Sequence, residues 1–169
     1  MEQLCFTGKG AGALAERLFS AIPVRPVGYR LLPFSVGERR KGLLMHLLTQ
    51  LEPGVENDLP CRLFLTPDRA VTIREVYDEV AAPALVRCLH VRAPILLDGL
   101  DAEALSCASF SEAAAACLAG DWPVVAVAAP GGEDAVRALL REDAAWFDAA
   151  CAEQDALLDR LQEELAMRL

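Results

Sequence analysis

The chain has 169 residues, 54% of them hydrophobic and 24% charged, with 25 acids against 16 bases and a formal charge of −9. That length suits one domain with a real core, and the composition is globular rather than disordered. The acidic balance argues against a nucleic-acid partner, which needs a basic face for phosphates, and against a membrane surface, whose anionic lipids attract basic clusters.

Residues 3–7 read as a short buried strand that runs into the glycine-rich stretch Gly8-Lys9-Gly10-Ala11-Gly12, and residues 13–21 carry apolar side chains at helical spacing. Strand, glycine loop and helix open a βαβ unit. Pro23 and Pro26 stop the helix. Residues 27–32 predict a strand, with a turn from 33 to 37. Residues 42–48 complete a β-hairpin or, from their leucine content, form a helix. Residues 52–60 read as a polar loop and 61–66 as a short strand. Thr72 and Glu75 have the spacing of a capping box for an amphipathic helix from Ile73 to Leu89, bent at Pro83.

Residues 92–98 predict a strand ending in a carboxylate, and the alanine-rich stretch 102–118 predicts one helix. The uninterrupted apolar run 122–129 suits a parallel strand buried on both faces. A Gly131-Gly132 turn, a helix over 133–141, a last strand over 144–147 and a charged helix over 149–169 follow. The alternation predicts an α/β domain spanning residues 1–169, with a mainly parallel sheet, helices on both faces and a hairpin insertion near 27–48.

No positively charged leader precedes the first strand, and Pro94, Asp98 and Pro123 interrupt the strongest apolar runs below transmembrane length, so the expected location is the cytoplasm. Of the six cysteines (Cys5, Cys61, Cys88, Cys107, Cys117, Cys151) none forms a Cys-x-x-Cys pair. His46 and His90 sit near no thiol pair at zinc spacing, so the cysteines read as reduced structural thiols.

The position and glycine content of 8–14 match a phosphate-binding P-loop, G-x-x-x-x-G-K-[ST], whose amides cradle phosphates, whose lysine reaches the β- and γ-phosphates and whose hydroxyl binds magnesium. The residues themselves depart from it. The spacer between Gly8 and Gly12 is one residue short, Ala13 stands in the lysine's place and Leu14 in the hydroxyl's. Two readings stay open: weak anion binding through amides and helix dipole, or a tight turn that only joins strand to helix. Lys9 on the entry side is a candidate substitute for the lysine, and Arg39 and Arg40 in the basic turn 38–41 are candidate phosphate contacts. The second expected motif is an apolar run ending in Asp and an acid. Here Asp98, which would hold Mg2+ through water, is followed by Gly99.

The order of these landmarks resembles the small P-loop nucleoside triphosphatases first described from thermophiles, which have a human cancer-related relative. The family's opening T-G-x-P-G-x-G-K-[ST] is matched by Phe6-Thr-Gly-Lys-Gly-Ala-Gly-Ala-Leu14, and its G-[FY] and R-x-G-F segments by Val27-Gly-Tyr-Arg30 and Glu38-Arg-Arg-Lys-Gly42. Its F-E-x-x-x-x-P-A-L is matched by Val76-Tyr-Asp-Glu-Val-Ala-Ala-Pro-Ala-Leu85, and its D-E-I-G by Asp98-Gly-Leu-Asp101. The resemblance implies a three-layer P-loop NTPase-like fold and slow, magnesium-dependent hydrolysis of nucleoside triphosphates to diphosphates. Of the family's nucleotide-handling residues only Gly8, Gly12 and Asp98 carry over. The expectation is a divergent, catalytically impaired relative that binds at most a nucleotide or phosphate weakly through residues 8–14. The alternative is a slow triphosphatase in which Lys9 replaces the usual lysine.

Overall fold

A computed structural model of the chain describes residues 3–48, 58–150 and 153–168. The strands β1 (Gln3–Thr7), β2 (Val27–Val36), β3 (Arg40–Leu47), β4 (Asp58–Thr66), β5 (Arg69–Thr72), β6 (Ile95–Leu100), β7 (Val124–Ala128) and β8 (Ala145–Asp148) form an eight-stranded sheet in the order β5-β4-β3-β2-β6-β7-β1-β8. From β2 through β6, β7 and β1 to β8 the pairing is parallel. Beyond β2 the strands β3, β4 and β5 continue the sheet as an antiparallel wing. The helices are α1 (Ala11–Ser20), α2 (Ala82–Cys88), α3 (Ala102–Leu105), α4 (Ala108–Ala119), α5 (Glu133–Leu139) and α6 (Gln154–Ala166), with a π-helical turn at Val76–Ala81 leading into α2.

The central parallel strands are mostly apolar, β7 at every position, because both faces are covered. In β1 and β7, Leu4, Phe6, Val125 and Val127 point to a core shared with Leu14, Leu18 and Phe19 of α1 and Leu158, Leu161 and Leu165 of α6. Cys5, Val124 and Ala126 point the other way, to a core with Leu85 and Cys88 of α2, Phe110 and Cys117 of α4 and Val136 of α5. Phe110 stands edge-on to both Tyr29 and Tyr77, with ring centroids 5.8 and 5.0 Å away. Cys5, Cys61, Cys88, Cys107 and Cys117 are buried free thiols, and Cys151 lies outside the described residues. Among the described residues no helix is long and apolar enough to cross a membrane.

The sheet, the helices on both faces and the hairpin agree with the sequence reading. Of residues 42–48, expected as strand or helix, 42–47 are strand, because β3 is sandwiched between β2 and β4. Several boundaries differ. β2 continues through Pro33 to Val36, so the hairpin turn lies at residues 37–39 rather than 33–37; Pro33 pairs with Leu43 inside the hairpin. The expected capping box at Thr72 and Glu75 does not form. Thr72 ends β5, and its hydroxyl donates to Glu103 Oε2 at 2.6 Å. Pro83 has no N–H for a carbonyl one turn back, and the π-helical turn just before it takes up the misfit.

The expected helix over 102–118 is two helices. Asp101 caps the first by accepting from Ala104 N at 2.8 Å, while Arg74 Nη2 donates to the carbonyl of Ser106 at the break. Asp78 Oδ1 then accepts from Phe110 N in the first turn of α4. Residues 52–57 of the expected polar loop lie outside the described residues, and residues 58–60 belong to β4. The last helix starts at Gln154 rather than 149, since the Ala149 amide instead extends the sheet by donating to Thr7 O at 2.8 Å.

Candidate functional site

A cleft of about 330 Å³ opens at the carboxyl ends of the parallel strands, where ligands of such sheets bind. Its lining joins the turn Gly8–Gly12 after β1, Asp98 and Gly99 of β6, residues 127–130 after β7, Leu31 of β2, Leu43 of β3 and Arg62 of β4. Between β1 and α1 only Gly8, Lys9 and Gly10 intervene. The Ala11 amide closes the turn on Gly8 O at 3.2 Å, and Gly10, left-handed at φ 88°, hands the chain to the helix. The turn is narrow, and the amides facing the cleft are those of the first helical turn, at the positive end of the α1 dipole.

Asp98 lies directly below this helix start: a Cβ added to Gly12 would stand 3.8 Å from its Oδ1. Its Oδ2 accepts from Leu31 N at 2.8 Å. Burial pushes the Asp98 carboxyl up to about 6, a rise that the Leu31 hydrogen bond opposes and the nearby Glu16 carboxylate reinforces. Behind it, Arg30 on β2 donates to Glu16 Oε1 at 2.6 Å. Asp148 at the end of β8 crowds the turn from outside. A Cβ on Gly8 would come within 2.5 Å of its Oδ1, which accepts from Ala150 N at 2.9 Å.

Among solved structures the chain is similar to THEP1 from the hyperthermophile Aquifex aeolicus, with a TM-score of 0.73 over 96% of this chain and 98% of that one. The chain has a P-loop NTPase-like fold. At 16% identity the likeness is one of fold. No family model and no curated protein matches the sequence.

Within that fold the residues singled out from sequence separate into two groups. Gly8, Lys9, Gly10, Ala11, Gly12 and Asp98 meet in one cleft. Ala13 is exposed on the first turn of α1, and Leu14 points away from the cleft into the core beneath α1, only 3% exposed. Arg39 lines a different hollow, with Glu38, Lys41, Phe64 and Pro67 on the antiparallel wing, and Arg40 is exposed at the start of β3. A magnesium ion prefers several oxygen ligands. Asp98 is the one carboxylate among the residues lining the cleft, and Leu14 supplies no oxygen, so the residues present do not fit the ion. Among the described residues no group of three or more His, Cys, Asp or Glu side chains is arranged to hold a metal.

Arg62 is the residue that sequence reasoning missed. It enters the cleft from β4, and its Nη1 and Nη2 donate to Asp101 Oδ2 and Oδ1 at 2.6 and 3.1 Å. The nearest sequence signal is the Cys61-Arg62 step within an apolar run, where a charge on an inward-facing strand position asks for a buried partner.

Proposed function

We propose that the chain is a P-loop NTPase-like domain that binds a phosphate or nucleotide weakly at the 8–14 turn and is impaired in hydrolysing nucleoside triphosphates. The observation that carries this reading is Leu14, whose side chain is packed into the core where a P-loop supplies its magnesium-binding hydroxyl. Ala13 removes the lysine at the next position back, and Gly99 removes the acid beside Asp98. Each such group stabilises transferring phosphate or metal, and single losses cost about 3–4 kcal/mol of barrier. The helix start and Lys9 remain as anion contacts.

The test is magnesium-dependent phosphate release from ATP, GTP, CTP and UTP. The expected rate is that of the blank; a rate well above it, abolished by Asp98→Ala, overturns the impairment. Binding is read separately as a rise in melting temperature with each nucleotide. Saturation at a hundred times the dissociation constant contributes about 2.7 kcal/mol. The second reading, a slow triphosphatase served by Lys9, is supported by the presence of Lys9 on the rim of the same cleft. Measurable hydrolysis that falls in Lys9→Ala would favour it, and equal blank rates would end it.

A further inference from the structure

The lining of the cleft contains two cations, Lys9 on its exposed rim and Arg62 in its wall. Arg30 is turned to Glu16 and is not part of that lining, and Arg39 belongs to the hollow on the wing. We propose that Arg62 is the anion-gripping residue of this cleft, facing the α1 amides from β4, and that the ligand it selects is a metal-free phosphate or diphosphate group. This rests on the reading of the cleft as an anion site.

Three features make Arg62 suited to that task. Its guanidinium is held in place: Asp101 engages one donor on each Nη, and Asp101 is itself fixed as the cap of α3. Donors remain, because a guanidinium offers a fork of N–H groups and Asp101 takes up only part of it. Each Nη keeps a second N–H beyond the one that Asp101 accepts. The fork is also preorganised, so little side-chain freedom remains to be lost on binding.

The preference for a metal-free group follows from the rest of the lining. With Asp98 the single carboxylate and Leu14 buried, little in the cleft coordinates a magnesium ion between enzyme and triphosphate. Lys9, the Arg62 donors that Asp101 leaves over and the helix start are what the cleft offers a small anion, against the single carboxylate Asp98.

Inorganic pyrophosphate, phosphate and ADP are titrated calorimetrically into the full chain, with EDTA and then with magnesium. Removing Arg62 alone strands Asp101, so the informative variant is Arg62→Gln combined with Asp101→Asn. It removes both charges and keeps an acceptor for the α3 cap. Arg62→Lys retains charge without the fork, the double variant leaves the net charge unchanged, and the exposed Arg92→Gln lowers the net charge by one away from the cleft lining. The double variant is expected to weaken pyrophosphate binding about ten- to a hundredfold, Arg62→Lys to fall between, and Arg92→Gln to match wild type. Equal affinities of wild type and the double variant overturn the role of Arg62 while leaving the cleft an anion site. Tighter binding with magnesium than with EDTA overturns the metal-free preference. A wild type that binds none of the three anions overturns the anion site itself and the role of Arg62 with it.

Discussion

At the scale of single residues, Asp98 is where environment and chemistry meet. Its carboxyl is raised from 3.8 to about 6 mainly by burial. In the unfolded chain it ionises near its ordinary value, so its effect is fully favourable only below that pH. Folding stability is then lost as pH rises from about 4 through 6, and above 6 the ionised buried carboxylate costs on the order of 3 kcal/mol. Asp98→Asn keeps an acceptor for the Leu31 amide and has no charge to bury. It should melt higher than wild type at pH 7.5 and together with it at pH 4. An unchanged difference across that range would show that burial does not govern this carboxyl.

Gly99 argues in the other direction. It sits at φ +68°, and a Cβ there would stand 2.2 Å from Leu31 Cδ1. An acid cannot simply be put back beside Asp98: left-handed backbone costs a side chain about 1–3 kcal/mol, and the Leu31 side chain must turn aside besides. Gly99→Glu is therefore expected to lower stability by about 1–3 kcal/mol in urea denaturation and to restore no hydrolysis. The glycine turn and Asp98 were legible because spacing along the chain carries them. Arg62 was not, because its partner Asp101 is 39 residues away and meets it only through the fold.

At the scale of elements, hydrophobic periodicity located the parallel strands and most helices, and it failed where ends are decided at a distance. Nothing in residues 102–118 announces the break at Ser106, because the groups that stabilise the ends are Arg74 and Asp78 from the segment packed against it. The Cys107 side chain at the N-cap of α4 turns back to Glu103 O and does not cap the helix, and the Asp78 carboxylate does the capping instead by accepting from Phe110 N at 3.1 Å. β5 was missed for a related reason: four residues of an edge strand carry too little pattern to stand out. Asp78→Ala should cost about 1 kcal/mol, whereas Asp78→Asn, which keeps an acceptor, should cost appreciably less. Equal losses in chemical denaturation would assign the effect to charge rather than to the cap.

At the scale of the whole molecule the charges are unevenly shared. Residues 27–72 hold six bases and five acids, for a net +1, so the remainder carries −10 of the −9 total. The wing is nearly neutral and exposes Val36, Leu63, Phe64, Leu65 and Val71. The acids therefore crowd on the body, much of them on α6 and the loops before it, where Asp155, Asp159, Glu163 and Glu164 lie on one helix. Like charges this close repel in the compact state and separate on unfolding. The ion pairs that oppose this repulsion differ in kind. Arg17–Asp155 and Arg160–Glu164 are solvent-exposed and weak, while Arg62–Asp101 is largely buried and little screened. Screening thus removes more repulsion than attraction. Raising sodium chloride from 0.05 to 0.5 M should increase the melting temperature, and Asp159→Lys on the crowded face should raise it at low salt while flattening the salt response. A melting temperature that falls with salt would mean that exposed pairs, and not the excess of acids, dominate the electrostatics of this fold.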